Sequence, residues 1–177
     1  FNNEDHFLKK VEKVCKENNI VFILDEMITG FRWNLKGAQK LYGVSPDLST
    51  FGKAMANGFA VAALCGKEKI MSLGSIRNIG AERVFLTSTT HGAEMSSLGA
   101  FIKTIEILKR DNVIQHVWDY GSILIKEANS ISKKHGLSKN VIFNGLGCSP
   151  NYLVLDNKGN NSLSLRTLFL QEMMKEK

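Results

Sequence analysis

Asp25 and Lys53 are the residues whose types and placement most invite chemistry. Ile20-Val21-Phe22-Ile23-Leu24 runs unbroken and apolar into Asp25-Glu26. In an open α/β sheet, ligands sit at the carboxyl ends of the strands, so an acid that closes such a run stands where a ligand is met. A buried carboxylate there can pair with a protonated heterocyclic nitrogen and keep the ring cationic, which makes the ring an electron sink for a neighbouring carbanion. Lys53 follows Gly52 at the end of a second apolar stretch. Burial and a nearby cation lower a lysine pKa and free its nitrogen to attack an aldehyde. Gly52 and Ala54 leave the approach to that amine uncrowded. Alone, the pair is weak, since most lysines are simply solvated.

The elements that must position these two residues follow from hydrophobic period. Phe7, Leu8, Val11, Val14 and Cys15 recur at helical spacing between lysines and glutamates, which predicts an amphipathic helix from about Asp5 to Asn18. The apolar run of residues 20–24 then reads as a buried parallel strand, and helix plus strand is half of an α/β unit. Leu35 to Tyr42 reads as a short helix stopped by Gly43 and Pro46, Leu48 to Phe51 as a second strand, and Val61 to Cys65 as a third, followed by a helix near Lys67. Helical patterns run from Ala93 to Lys109 and from Val113 to Lys134, with Asp111-Asn112 between them. Beyond Gly136, Val141-Ile142-Phe143 and Tyr152-Leu153-Val154-Leu155 read as a strand pair, and Leu163 to Met174 as a last helix. A domain boundary is expected near Asp111, giving lobes 1–111 and 112–177, the first including the long helix that bridges them.

An apolar strand ending in Asp-Glu also describes the strand that holds magnesium in a nucleotide hydrolase. That chemistry needs a GxxxxGK[ST] loop. Around Gly52-Lys53 the first glycine position holds Asp47 and the Ser/Thr position holds Ala54, so a magnesium-dependent hydrolase is the minor alternative.

The wider order of motifs is more specific. Asp25-Glu26-Met27-Ile28-Thr29-Gly30-Phe31-Arg32 is followed by Gly37-Ala38-Gln39, Tyr42-Gly43-Val44, Pro46-Asp47-Leu48 and Gly52-Lys53. From about Phe7 to Ala100 this resembles the class III aminotransferase family, and within it the branch containing glutamate-1-semialdehyde 2,1-aminomutase. The resemblance implies an α/β chain: the later part of a fold-type I pyridoxal-phosphate large domain, then part of a small α+β C-terminal lobe. It implies pyridoxal 5'-phosphate as cofactor, with amino-group transfer as the reaction, either between a small-molecule amino donor and a carbonyl acceptor or as an intramolecular 2,1 shift. On the matching positions it makes Lys53 the residue of the internal aldimine and the carrier of the substrate proton. Asp25 becomes the partner of the pyridine nitrogen. Met27 stands where relatives usually have valine, against the cofactor ring. Thr89, or Thr90 if the alignment moves by one, becomes the threonine that reaches the neighbouring subunit's cofactor phosphate in a homodimer. Two departures leave the amino acceptor open to sugar or keto-acid substrates. Ala60 replaces the proline of the glycine-rich stretch after the lysine, and Ser88-Thr89-Thr90-His91-Gly92 replaces the Gly-Thr-Leu-Ser-Gly type of the aminomutase branch.

The remaining signals have plain readings. The formal charge of +6 is spread along amphipathic segments and not gathered into a stripe, so no nucleic-acid partner is expected. Cys15, Cys65 and Cys148 show no CxxC spacing, and the four histidines are scattered, so no metal is expected and the thiols are expected reduced and mostly buried. No apolar run reaches membrane-spanning length, and a cytoplasmic location is expected. Arg32 is a substrate-carboxylate contact or a structural ion pair, Glu26 an ion-pair member, and His91 a polar surface residue or one that approaches the partner's active site. Trp33, Trp118 and Tyr120 are expected in the core or at an interface. Phe1-Asn2-Asn3 carries no initiator Met and no leader pattern. The chain is therefore expected to be a fragment; the resemblance implies that the phosphate-cradling loop and the ring-stacking aromatic lie upstream of it, and the chain is expected to be inactive by itself.

Overall fold

In a computed structural model, which describes residues 6–75, 77, 79, 80, 82, 92 and 94–176, the apolar run before Asp25 ends in a strand, β1 (Ile23–Asp25). It is preceded by α1 (Phe7–Glu17), which His6 opens by accepting the Leu8 amide on its ring nitrogen. After β1 the chain turns through residues 26–37 into α2 (Ala38–Tyr42), which stops at Gly43 in the left-handed region, φ 62°. It then enters β2 (Leu48–Phe51), a single helical turn at Lys53–Met55, and β3 (Ala63–Gly66). The short helix α3 (Glu68–Met71) and the long α4 (Met95–Arg110) follow. Thr89, Thr90 and His91 lie outside the described residues.

The chain divides into two units, Phe1–Ile114 and Gln115–Lys177. The first holds a three-stranded sheet in the order β1-β2-β3. β1 and β2 are parallel, with Ile23 opposite Leu48, Leu24 opposite Ser49 and Asp25 opposite Thr50. β3 runs antiparallel to β2. Phe22, Ala38, Val44, Met55 and Ala56 are buried around this sheet. The second unit is built on α5 (Val113–Lys134), a hairpin of β4 (Val141–Leu146) and β5 (Ser149–Val154), and α6 (Leu163–Lys175). The Asn129 side chain stands in for a neighbouring strand: it donates to the Phe143 carbonyl at 2.7 Å and accepts the Phe143 amide at 2.9 Å. This closes part of the open edge of β4 against α5.

Several expectations are corrected. β1 is not buried on both faces: it is the edge strand of the described sheet, with a neighbour on one side only, and Ile23 is 56% exposed. Of the cysteines only Cys148 is buried, while Cys15 is half-buried and Cys65 exposed. Tyr120 is exposed on α5, which removes the core from its two expected places and leaves the interface as the open one. Among the described residues no helix is long and apolar enough to cross a membrane, and no group of three metal-ligating side chains gathers.

Asp47 fixes the register at the amino end of the parallel pair. Its Oδ2 accepts the Phe22 amide at 2.8 Å, its Oδ1 accepts the Lys67 ammonium at 2.7 Å, and its own amide donates to the Phe22 carbonyl at 2.8 Å. One carboxylate thus ties the entry to β1, the entry to β2 and the exit from β3. The Lys67 hydrogen bond first, and the Phe22 amide second, hold the Asp47 carboxyl below its ordinary value. A depressed carboxyl stabilises the fold above its unfolded pKa, and that contribution is lost as pH falls through the folded value. Asp47→Asn is therefore expected to cost about 1–2 kcal/mol at neutral pH. The difference from the unsubstituted protein should shrink once both are studied below the carboxylate range. Urea denaturation at the two pH values checks this, and a pH-independent difference would contradict it.

Candidate active site

The parallel register carries Asp25, the last residue of β1, and Lys53, just past the end of β2, to the same edge of the sheet. This is the carboxyl edge, where α/β sheets meet ligands. Oδ1 of Asp25 accepts two hydrogen bonds, from the Met27 amide at 2.9 Å and from the Thr50 hydroxyl at 2.8 Å. These two bonds, the Met27 amide foremost, and the nearby positive charge of Lys53 hold the Asp25 carboxyl below its ordinary value. Asp25 is thus a carboxylate at neutral pH with Oδ2 unengaged among the described residues. Lys53 lies close enough for its charge to be felt there.

Lys53 sits in an uncommon backbone conformation. Its φ is +45°, in the left-handed region that side chains other than glycine rarely enter. The turn it opens is anchored by Met55 and Ala56, both buried. On its other side, Gly52 has no side chain because Met27 occupies the space: a Cβ on Gly52 would lie 2.4 Å from Cε and 2.9 Å from Sδ of Met27. Met27 thereby packs against the peptide that carries the lysine. The residue before Gly52, Phe51, acts similarly, its ring filling the space beside Gly30.

The loop between β1 and α2 is organised by Glu26, which is fully buried. Its carboxylate accepts the amides of Ala38 at 2.8 Å and Gln39 at 2.9 Å, and also the Thr29 hydroxyl. This corrects the expectation of an ion pair: Glu26 caps the first turn of α2 with backbone amides as its partners, so no cation needs to be buried beside it. The Glu26 amide donates to the Thr50 carbonyl at 2.9 Å, which fastens the loop to β2 next to the Asp25–Thr50 pair. Arg32 is exposed and has no ion-pair partner among the described residues. Asp25 and Lys53 are likewise exposed, and not buried as expected, because β1 has no second neighbour among the described residues and the carboxyl edge there is open. Glu26 and Thr50 are the residues that sequence reasoning missed as supports of the site. Neither carried a signal in the sequence: Glu26 caps a helix that begins twelve residues later, and Thr50 has its meaning only in the register.

Comparison with solved structures defines the class. An omega-transaminase from Sphaerobacter thermophilus superposes with a TM-score of 0.70 at 25% identity, over 80% of this chain and 31% of the other. A transaminase from the marine bacterium Virgibacillus gives 0.74 at 20% identity, over 93% and 37%. The internal aldimine form of FumI from Sphingopyxis, which holds pyridoxal phosphate, gives 0.73 at 24% identity, over 85% and 34%. The fold is that of the fold-type I pyridoxal-phosphate transaminases, of which this chain spans about a third.

Residues 1–161 match the family model Aminotransferase class-III, and the chain belongs to that enzyme family. It is 38% identical over 169 residues to a 3-aminobutyryl-CoA aminotransferase of Cloacimonas acidaminovorans, covering 96% of this chain and 39% of the relative. It is 44% identical over 108 residues to a glutamate-1-semialdehyde 2,1-aminomutase of Nitrosopumilus maritimus, covering 60% and 24%. The chain spans about two fifths or less of these curated relatives. The family match assigns the Asp-Glu strand end to this family and sets the nucleotide-hydrolase alternative aside.

Pyridoxal phosphate is the cofactor that family and fold imply, and the described residues fit it. An ionised carboxylate with one oxygen unengaged suits a protonated ring nitrogen, and an accessible primary amine beside it suits an aldehyde.

Gly37 tests the support given by Glu26. A Cβ there would sit 2.4 Å from Oε1 of Glu26, at a φ of +78°. Gly136 has a similar φ of +72° with open space around it. Both alanine variants incur the left-handed cost of about 1–2 kcal/mol. Gly37→Ala is expected to lose roughly 1–3 kcal/mol more, since the buried carboxylate must move off its amides. Equal losses in denaturation would show that Glu26 does not hold the loop.

Proposed function

We propose that the whole protein to which this chain belongs transfers an amino group between small molecules, as an intermolecular transaminase or in a 2,1-aminomutase shift. The observation that carries this reading is the meeting of Asp25 and Lys53 at the carboxyl ends of adjacent parallel strands. Pyridoxal phosphate, when bound, supplies an aldehyde carbon and a protonated pyridine ring that draws off the electron pair released at the substrate carbon. Lys53 Nζ would be the amine that holds that aldehyde and, when free, the base that takes the proton from the substrate α carbon and passes it on. Asp25 Oδ2 would hold the proton on the ring nitrogen, its ionised state secured by the donors on Oδ1. Met27, packed against Gly52, would line the space beside the ring.

In the same reading the protein is a homodimer, and Thr89 of each subunit reaches the phosphate held by the other. Residues 1–111 then belong to the large cofactor domain and 112–177 to the small one. A second reading concerns the 177-residue chain by itself, as a piece that does not turn over. The exposure of Asp25 and Lys53 favours it, because neither side chain is enclosed in a site from which water is excluded.

Two experiments on the full-length protein test the assignment. Borohydride reduction of the pyridoxal-phosphate-loaded protein, followed by peptide mapping, is expected to place the label on Lys53; label on another lysine would refute it. Asp25→Asn should lower kcat by about a hundredfold or more, while cofactor still attaches to Lys53. Normal turnover at full cofactor occupancy would deny Asp25 its role.

A further inference from the structure

Both hydrogen bonds that Asp25 accepts fall on the same oxygen, and one comes from a side chain to which the motif reading assigns no role. Thr50 lies directly opposite Asp25 in the parallel register and donates to Oδ1 at 2.8 Å, beside the Met27 amide at 2.9 Å. An aspartate's terminal torsion is broad and nearly two-fold, so a carboxylate held by one donor rocks and can exchange its oxygens. Two donors arriving from different elements, the loop after β1 and the strand β2, fix its plane. Threonine suits the task because branching at Cβ restricts its χ1 and so the direction of its hydroxyl. The Thr50 carbonyl is also engaged, accepting the Glu26 amide at 2.9 Å. The backbone under the hydroxyl is therefore held as well.

We propose that Thr50 is a positioning residue for the amino-transfer reaction: with the Met27 amide it pins Oδ1 of Asp25, so that Oδ2 alone is offered to the cofactor's ring nitrogen. This rests on the reading of Asp25 as the ring-nitrogen partner. The charge-assisted bond also stabilises the ionised carboxylate, in line with the lowered Asp25 pKa, to which the Thr50 hydroxyl is the second contributor. Among the described residues, the charged groups beside Asp25 are Lys53, whose cation acts in the same direction, and its chain neighbour Glu26, whose carboxylate is turned onto the Ala38 and Gln39 amides.

The test compares Thr50→Val, which keeps the branched shape without the hydroxyl, and Thr50→Ser, which restores it, in the full-length protein. Thr50→Ala serves as a second hydroxyl-free variant should valine disturb folding. In the cofactor-free protein, carbon-13 NMR of the Asp25 carboxyl should show its titration midpoint raised in the valine and alanine variants and returned in the serine variant. In the loaded protein, kcat should fall about tenfold without the hydroxyl, KM for the amino donor should change little, and serine should recover most of kcat. An unmoved Asp25 midpoint overturns the inference, whether or not stability falls, because a purely structural threonine would not shift it. So does a kcat that serine fails to recover. Asp25→Asn separates the two levels. If it leaves turnover intact, the reading of Asp25 itself fails; if it abolishes turnover while Thr50→Val does nothing, only the role of Thr50 fails.

Discussion

The parallel pairing of β1 with β2 is the constraint from which the site follows. Side chains alternate faces along a strand, so a slip of one residue would send Asp25 and Thr50 to opposite sides of the sheet. With strands of three and four residues, the ladder alone is too short to forbid such a slip. At the amino end the register is reinforced from outside the ladder, where Asp47 binds the Phe22 amide and the Lys67 ammonium; at the carboxyl end the ladder itself runs one bond past β1, from the Glu26 amide to the Thr50 carbonyl. The Asp47 bond to the Phe22 amide is directed at the backbone, so it specifies position and not merely proximity.

The adjacent acids Asp25 and Glu26 show how one dipeptide serves two purposes. Burying a carboxylate is costly unless its oxygens are fully satisfied. Glu26 meets that condition with two amides at the start of α2 and the Thr29 hydroxyl. Its neighbour points the other way, toward the open edge, with only one oxygen engaged. The buried acid shapes the loop; the exposed one is left with an acceptor to offer. Gly37 and Gly30 belong to the same arrangement. Each lacks a Cβ where the Glu26 carboxylate, or the Phe51 ring and the Glu26 carbonyl, already fills the space.

Much of this was legible in the sequence, and what escaped has a common cause. Helical period marked α1, α4, α5 and α6 to within a few residues, and the apolar runs marked β1 and β2. Motif order placed Asp25 and Lys53 at one edge. Burial was misjudged for β1, Asp25, Lys53 and two of the three cysteines. An apolar run reports what a strand would bury given neighbours on both sides, not how many neighbours are there. Glu26 was misread because a buried acid suggests a cation, whereas the first turn of a helix offers amides that sequence does not advertise. Thr50 was invisible for a different reason: its meaning lies wholly in the cross-strand register, and two strands separated by a long crossover disclose no register in their residues.

The conformation of Lys53 links this geometry back to chemistry. A left-handed backbone at a residue with a side chain costs on the order of 1–2 kcal/mol, and such strain persists only where its surroundings over-determine it. Here the determinants can be named. Gly52 before it is pressed against Met27, and Met55 and Ala56 after it are sunk in the core. The chain leaving β2 is thereby bent at the lysine before it can continue as strand. A relaxed, extended residue at that position would carry its side chain onward along the sheet. The bent one keeps the root of the amine at the strand end, within electrostatic reach of Asp25. The same methionine that packs against Gly52 lends its own amide to Asp25. The acid and the amine are therefore placed by one connected set of contacts, and a change in that set would be felt at both.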